Sequence, residues 1–449
     1  MTITTDDSAV GGPDAEGRLG GRLRSSAVGN LLWSLSGEAV RLVSSFGAFL
    51  ILVRIFPPAD FGLLVAATSL FAMLFPFAGM GGGWLVLRRV TTESWAASDA
   101  LATANGMMFL GSAALGLLAI VARPLIMPQM PLRWFIGVGI SEMVLLGLVE
   151  TTLFAAQATE RLMAKAVAWS VYGLGRAGAA VALVLVVDDP GLGLWIVMTI
   201  GIGVVVLVVA QLLTVGRPVG AARPRRRDIT DGLPYSVGFG AERLLSVSDN
   251  VLLVRLDYAA DAGLYAAARR LLTVSIAPVI AGLHAVSAQL WRTGGQARNQ
   301  AAASRRLALR LTALGSVYGL VVAVAWIMFG GTVARLLGPD YAEAAVILPW
   351  VGVVPLLLVL EVFAATALTG SGYHSQRVVL TIAVGLLNIV LNLAWIPGLG
   401  WRGAVYASLL SSVLYVALLW LTLSWAASRA DDGLNQGQAL EQPPGGDGP

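Results

Sequence analysis

The chain has 449 residues, of which 57% are hydrophobic and only 12% charged, and it carries a formal net charge of +4. An ordinary soluble domain carries about 25% charged residues, so this balance excludes a soluble globule and points to an integral membrane protein. Cysteine is absent and histidine occurs only twice, which excludes disulfides, iron–sulfur clusters and thiolate zinc sites; no metal site and no cofactor is expected.

In chain order, residues 1–27 are Gly-rich and polar with no apolar core of their own, and read as a disordered cytoplasmic tail rather than a cleaved signal peptide. Stretches of about 20 apolar residues follow, each long enough to cross a bilayer as a helix. The first half offers Asn30–Val53, Phe61–Gly79, Ala100–Ala122, Trp134–Ala156, Val167–Val187 and Leu192–Val215. The second offers Pro234–Arg255, Gly263–Ala285, Leu307–Phe329, Ile347–Leu368, Val378–Trp395 and Ala404–Trp425. The predicted fold is an all-α integral membrane protein, with twelve transmembrane helices in two six-helix lobes at 28–215 and 232–426. A basic cytoplasmic linker at 216–231 joins the lobes, and residues 427–449 read as a second disordered cytoplasmic tail.

An internal repeat relates the lobes. The segment Val53–Ala67 recurs 201 residues later as Val254–Ala268, with Arg54 answering to Arg255, Asp60 to Asp261, Gly62 to Gly263 and Leu63 to Leu264. Parallel halves in a membrane protein point to a transporter, because duplicated bundles that rock against each other are a common basis of alternating access. Orientation follows from Arg and Lys. With the N-terminus inside, most of them fall on the cytoplasmic side, from Arg18 to Arg429, against Arg54, Arg123, Arg133, Arg255, Arg335 and Arg402 on the other. That asymmetry puts both termini in the cytoplasm and needs an even number of spans. The arginines of the linker read as topology signals or contacts to anionic membrane lipids, and no nucleic acid is expected as a partner.

Ionisable groups inside the spans are the functional candidates, since each costs at least ~2.5 kcal/mol there and tends to face a cavity. Glu38 and Arg41 stand three apart on the first span, and Glu242 and Arg243 occupy the equivalent depth on the seventh, with Asp249 deeper. Arg269 and Arg270 lie a turn inside the eighth span, Arg176 lies in the fifth, and Glu142, Glu150 and Glu361 are further intramembrane acids. A lumen lined by Arg41, Arg243, Arg269 and Arg270 favours a polyanion, with phosphate the natural choice because the guanidinium fork matches its oxygens. Glu142 and Glu150, eight apart on the fourth helix, read as proton-coupling carboxylates or as partners of Arg176; Glu38, Glu242, Asp249 and Glu361 balance charge. The structural alternative also stands: Glu38 with Arg41 as a helix-internal pair, and Arg269 and Arg270 snorkelling to the interface.

Two patterns imitate chemistry. Gly173-Leu174-Gly175-Arg176-Ala177-Gly178 matches a dinucleotide fingerprint but follows no strand and lacks a ribose-binding acid, so its small residues read as helix-packing positions. Gly79, Gly81, Gly82 and Gly83 lack the lysine and hydroxyl of a phosphate loop and should bend or end the second span, while Pro76, Pro278 and Pro355 mark expected kinks.

The segment Arg54 to Gly62-Leu63, its counterpart Arg255 to Gly263-Leu264-Tyr265, the loop Leu337-Gly338-Pro339-Asp340-Tyr341 and the segment Leu368-Thr369-Gly370-Ser371-Gly372 resemble bacterial polysaccharide flippases. These belong to the multidrug, oligosaccharidyl-lipid and polysaccharide exporter superfamily, and the resemblance covers about residues 28–426. It implies a transporter, not an enzyme, that moves a polyprenyl-diphosphate-linked glycan from the cytoplasmic to the outer leaflet. It also implies partners among the glycosyltransferases and polymerase of the same pathway, and arginines in the cavity, for which Arg41, Arg243 and Arg269 or Arg270 are the nearest matches by helix and depth. Three rival readings remain: a cation-coupled multidrug antiporter of the same superfamily, the lipid-linked peptidoglycan precursor flippase, which usually carries two more helices, and an integral-membrane glycan polymerase or transferase.

Overall fold

The structure is a computed structural model and describes residues 33, 36–186, 188, 190–294 and 301–441, with backbone alone at 273–274, 281–294, 301–303 and 430–441. The N-terminal tail expected at 1–27 lies outside the described residues. Everything regular among the described residues is helical.

In the first half α1 covers 36–55, α2 Pro58–Ala78, α3 Gly82–Thr92, α4 Ala97–Ile126, α5 Leu132–Ala158, α6 Leu162–Val186 and α7 Leu192–Val215. In the second, α8 is Arg226–Arg255, α9 Ala259–Gly294, α10 Ala301–Ala334, α11 Ala344–Gly370, α12 His374–Leu399 and α13 Trp401–Glu441. Among the described residues nine helices are long and apolar enough to cross a membrane: α2, α4 to α7 and α10 to α13. The other three expected spans, α1, α8 and α9, are helical too, and they carry most of the charge singled out above.

Several boundaries differ from expectation. α8 begins at Arg226, inside the expected linker, because the Asp228 carboxylate accepts the Arg225 backbone N–H (2.6 Å) and so caps the helix start. The last helix is described through Glu441, where a tail from 427 was expected. The glycines after the second span do end it, but they lead straight into α3, a short helix outside the expected set. α5 contains a π-helical stretch at Ile140–Leu145, and α11 is interrupted at Gly352–Val353, ahead of Pro355, so Pro355 begins a helical segment instead of kinking one.

The repeat has a direct structural meaning. A Cβ on Gly62 would strike the Ala259 carbonyl oxygen, and a Cβ on Gly263 would strike that of Pro58. Each half therefore presses the same glycine against the same backbone position of the other, an isologous contact across a local two-fold. Around this crossing lies the largest apolar core, which draws Leu52, Phe56 and Phe61 from the first half and Val254, Tyr265, Tyr341 and Ile347 from the second. On the outside, α4 exposes Leu117, Leu118 and Val121, and α10 exposes Leu314, Val317 and Val321. Such apolar bands are a liability in water and are satisfied by acyl chains in a bilayer.

The helices alternate in direction, so the loops fall at two ends. One end collects Arg88, Arg89, Arg161 and Arg217 to Arg227 and is called the arginine-rich end; the arginine-poor end carries the α1–α2 turn and residues 335–343. At the arginine-poor end the halves are sewn together: Tyr341 Oη donates to the Phe56 carbonyl (3.0 Å), Arg54 donates to the Leu336 carbonyl (2.9 Å), and Gln129 donates to the Val254 carbonyl (3.3 Å). At the arginine-rich end α3 meets the start of α8, where Arg89 donates to buried Asp228 and Arg88 to Asp231 (3.2 Å).

Candidate functional site

Between the halves, at mid-depth, lies a cavity of about 470 Å³ bounded by α1, α2, α5, α6, α8 and α9. Its charged lining is Arg41, Arg176, Arg243, Arg269 and Arg270, with Glu142 as the acid among them. The four arginines expected to share a lumen line one cavity, and Arg176, expected as a coupling or charge-balancing partner of Glu142 or Glu150, joins them. Thr68, Ser69, Ser246 and Asn250 add neutral polar groups.

Each arginine arrives by its own route. Arg41 forms the expected pair with Glu38, Nε to carboxylate 3.0 Å, and its guanidinium lies 5.0 Å from the Trp169 ring centroid. Gly173 of the fingerprint-like run makes room for it, since a Cβ there would stand 2.9 Å from Arg41 Cα; Gly175 similarly meets Ile202, whereas Gly178 faces open space. Arg176 donates to Tyr172 Oη (2.7 Å) and meets Glu142 at 3.4 Å, with the Trp195 ring beside it. Glu142 sits in the π-helical stretch of α5, a backbone form that recurs at functional sites. Arg269 reaches Asp249 at 2.8 Å, and this carboxylate, 2% exposed, also accepts from Tyr265 Oη (2.6 Å) and Ser408 Oγ (3.1 Å).

Arg243 and Arg270 are different. Both are exposed to the cavity, and neither has an ion-pair partner among the described residues. Three of the five cavity arginines are therefore matched by Glu38, Glu142 and Asp249, and two are left for whatever enters. A pair of unmatched guanidinium groups in a low-dielectric lumen attracts a multivalent anion and repels a cation.

The remaining acids go elsewhere. Glu242, next to Arg243 in sequence, turns to Arg377 on α12, which also donates to Thr369 Oγ1 (3.1 Å). Glu142 and Glu150 do not share a cavity: eight residues of helix separate them by about 12 Å, and Glu150 lines a second cavity of about 130 Å³ with Arg243. A third cavity, of about 140 Å³ inside the second half, holds Glu361 with Arg269, Tyr265, Asn388 and Ser408. Asn388 there belongs to a buried polar chain, accepting from Ser248 Oγ (3.1 Å) and Asn392 Nδ2 (2.9 Å). Sequence reasoning passed over Tyr172, Tyr265 and Arg377. The two tyrosines stand one helical turn before Arg176 and Arg269, a readable signal; Arg377 lies 135 residues from Glu242 and offers none.

Outside the membrane-spanning region, burial opposes ionisation of Asp228, yet the Arg89 hydrogen bond and the Arg225 backbone N–H prevail and hold its carboxyl below the usual carboxylate range.

No protein-family model and no curated protein sequence matches this chain. Solved structures do. The chain shares its fold with solved transporters of the MOP superfamily, and nine of its described helices are long and apolar enough to cross a membrane. The lipid II flippase MurJ in an inward closed conformation superposes with a TM-score of 0.69 at 11% identity, covering 92% of this chain and 93% of that one. An inward-facing multidrug resistance transporter of the MATE family gives 0.67 at 14% identity over 89% of this chain and 99% of its own. An outward-facing MATE family transporter gives 0.61 at 14% identity over 91% and 96%.

Proposed function

We propose that the chain is a flippase with twelve spans in two lobes and both termini in the cytoplasm of a bacterial inner membrane. It moves a polyprenyl-diphosphate-linked oligosaccharide to the outer leaflet by alternating access, for cell-surface or exported polysaccharide synthesis. The observation that carries this reading is the central cavity between the halves, where Arg243 and Arg270 form no ion pair among the described residues and Glu150, an acid near Arg243, lies in the adjoining cavity. A diphosphate supplies the missing negative charge in a form the guanidinium fork binds well. Contacts join the halves at both ends, Tyr341 to Phe56 at the arginine-poor end and Arg89 to Asp228 at the arginine-rich end, so alternating access would need each set to part in turn. Glycosyltransferases and the polymerase of the same pathway would be its functional partners.

Deleting the gene in its host and profiling lipid-linked glycans on each face of the membrane tests the proposal. A diphosphate-linked oligosaccharide should accumulate facing the cytoplasm. Export should also fail in an Arg41→Ala, Arg243→Ala double variant that inserts at normal levels, while Arg225→Ala, whose site lies outside the cavity, should export normally; full activity of the double variant would refute the cationic cavity. A second reading, a cation-coupled multidrug antiporter, is favoured by Glu150 and Glu361, two cavity carboxylates without an ion-pair partner among the described residues. An unchanged glycan profile together with new sensitivity to cationic dyes would select it.

A further inference from the structure

The second cavity, of about 130 Å³, lies on the arginine-rich side of the central one and shares Arg243 with it. Its walls are of another kind. Trp84 stacks on Tyr235 (centroids 5.8 Å, planes 11° apart) and on Phe239 (5.9 Å, 27°), and Phe154 closes the cluster at 5.4 Å. The indole Nε1 of Trp84 and the hydroxyl of Ser236, both on lining residues, are buried without a hydrogen-bond partner in the protein. Glu150 and Arg243 are the charged residues of the lining, so its formal charges cancel. The space is about ten times what a single water needs. Close backbone packing supports the floor: Gly81, with φ +71°, presses against the Gly232 carbonyl, which no side chain at either position would permit.

Aromatic walls, a carboxylate and two neutral hydrogen-bonding groups that lie just behind the wall, without a partner until a ligand recruits them, suit a ligand that is apolar on its ring faces and rich in hydroxyls at its edge. An organic cation would suit the aromatic faces and Glu150 but would meet the Arg243 guanidinium in the same small space. We propose that this cavity is a subsite for one neutral sugar ring, the one joined directly to the diphosphate. The assignment rests on the flippase reading, and it follows from connectivity: a diphosphate held at Arg243 in the central cavity places its attached sugar next door. Arg243 is then the hinge of recognition, touching phosphate on one side and sugar on the other.

Binding to the purified full-length protein in lipid nanodiscs tests this with three probes: a short polyprenyl diphosphate, the same lipid bearing one N-acetylhexosamine, and tetraphenylphosphonium. The protein should prefer the sugar-bearing lipid by about tenfold, the scale of one aromatic contact with its hydrogen bonds. Trp84→Ala should erase that preference while the affinity for the sugar-free lipid holds, and Arg243→Ala should weaken both lipids. Trp84→Phe, which keeps a ring but removes the N–H, and Glu150→Gln should each reduce the preference, and they decide the matter if Trp84→Ala does not fold. Equal affinity for the two lipids in the unaltered protein, or an intact preference in the Trp84 and Glu150 variants, overturns the subsite and leaves the flippase reading standing. Binding of neither lipid overturns both. Binding of tetraphenylphosphonium that Glu150→Gln abolishes reassigns the cavity to organic cations.

Discussion

Arg243 and Arg270 stand in the central cavity without an ion pair among the described residues, while Arg269 sits against Asp249, whose side chain is 2% exposed. Their truncations should therefore separate function from stability. Arg243→Ala or Arg270→Ala removes a charge that makes no ion pair among the described residues and should leave the melting temperature unchanged or slightly raised, and on the proposed flippase reading export should be lost. Arg269→Ala strands a buried carboxylate, a defect that costs roughly 3–5 kcal/mol in comparable cases, and thermal unfolding in detergent should show a clear drop. Similar melting behaviour in all three would contradict this division. Asp228 offers a pH handle at the same scale. Its carboxyl is held below the usual range by Arg89 and the Arg225 N–H despite burial. Its ion pair thus stabilises the fold fully above the unfolded value of about 3.9, and that stabilisation is lost as pH falls through the depressed folded value. The melting temperature of the unaltered protein should exceed that of Asp228→Asn at pH 7, and the gap should close in the acid range below about pH 4; a gap independent of pH would argue against the ionic clasp. Pairing itself was only half legible. Glu38 and Arg41 are one turn apart and so could be matched from spacing, whereas Glu242 with Arg377 and Asp249 with Arg269 join different helices.

Helix crossings are decided by small residues, and here the duplicated glycines do it. A methyl group on Gly62 or Gly263 would run into backbone oxygen, which cannot rotate away as a side chain can. Gly62→Ala and Gly263→Ala should each destabilise by about 1–3 kcal/mol or more, and to a similar degree, since the contact is reciprocal. Gly178→Ala, where the added carbon meets nothing within 4 Å, should be neutral or mildly stabilising. Fluorescence-detected size-exclusion melts of the three variants would check this, and tolerance of both crossing substitutions would remove the two-fold contact from the fold's foundations. The same reasoning shows which elements hydropathy could reveal. Leu192–Val215 carries no charged residue and is capped by Gly216, so its predicted and observed limits coincide. α3 carries Arg88, Arg89, Thr91 and Thr92 and packs as an amphipathic helix, so a search for apolar runs passes over it. α8 begins in charged residues because its first turn is held by Asp228 contacts that no hydropathy profile contains.

At the scale of the molecule, the alternating access proposed above would require the sewn arginine-poor end to open. Arg54 and Leu336, both exposed, join the halves there at 2.9 Å. The absence of cysteine makes the test free of background: an Arg54→Cys, Leu336→Cys variant joined through two mixed disulfides by a short bis-methanethiosulfonate should stop the proposed transport, and reductant, by cleaving the disulfides, should restore it. Transport that continues through the cross-link would show that this end need not part.

Sequence by itself determined the all-helical membrane class, the repeat and the set of intramembrane charges, because each depends on composition or on spacing along one helix. Tertiary structure alone decided that Arg176 joins the other four arginines, that Glu150 belongs to a second cavity, and which arginines remain unmatched. The physical reason is that a charge's partner depends on how each helix is rotated and where it crosses its neighbours. Those are properties of the packed bundle, set by contacts such as Gly62 against Ala259 and Gly173 against Arg41.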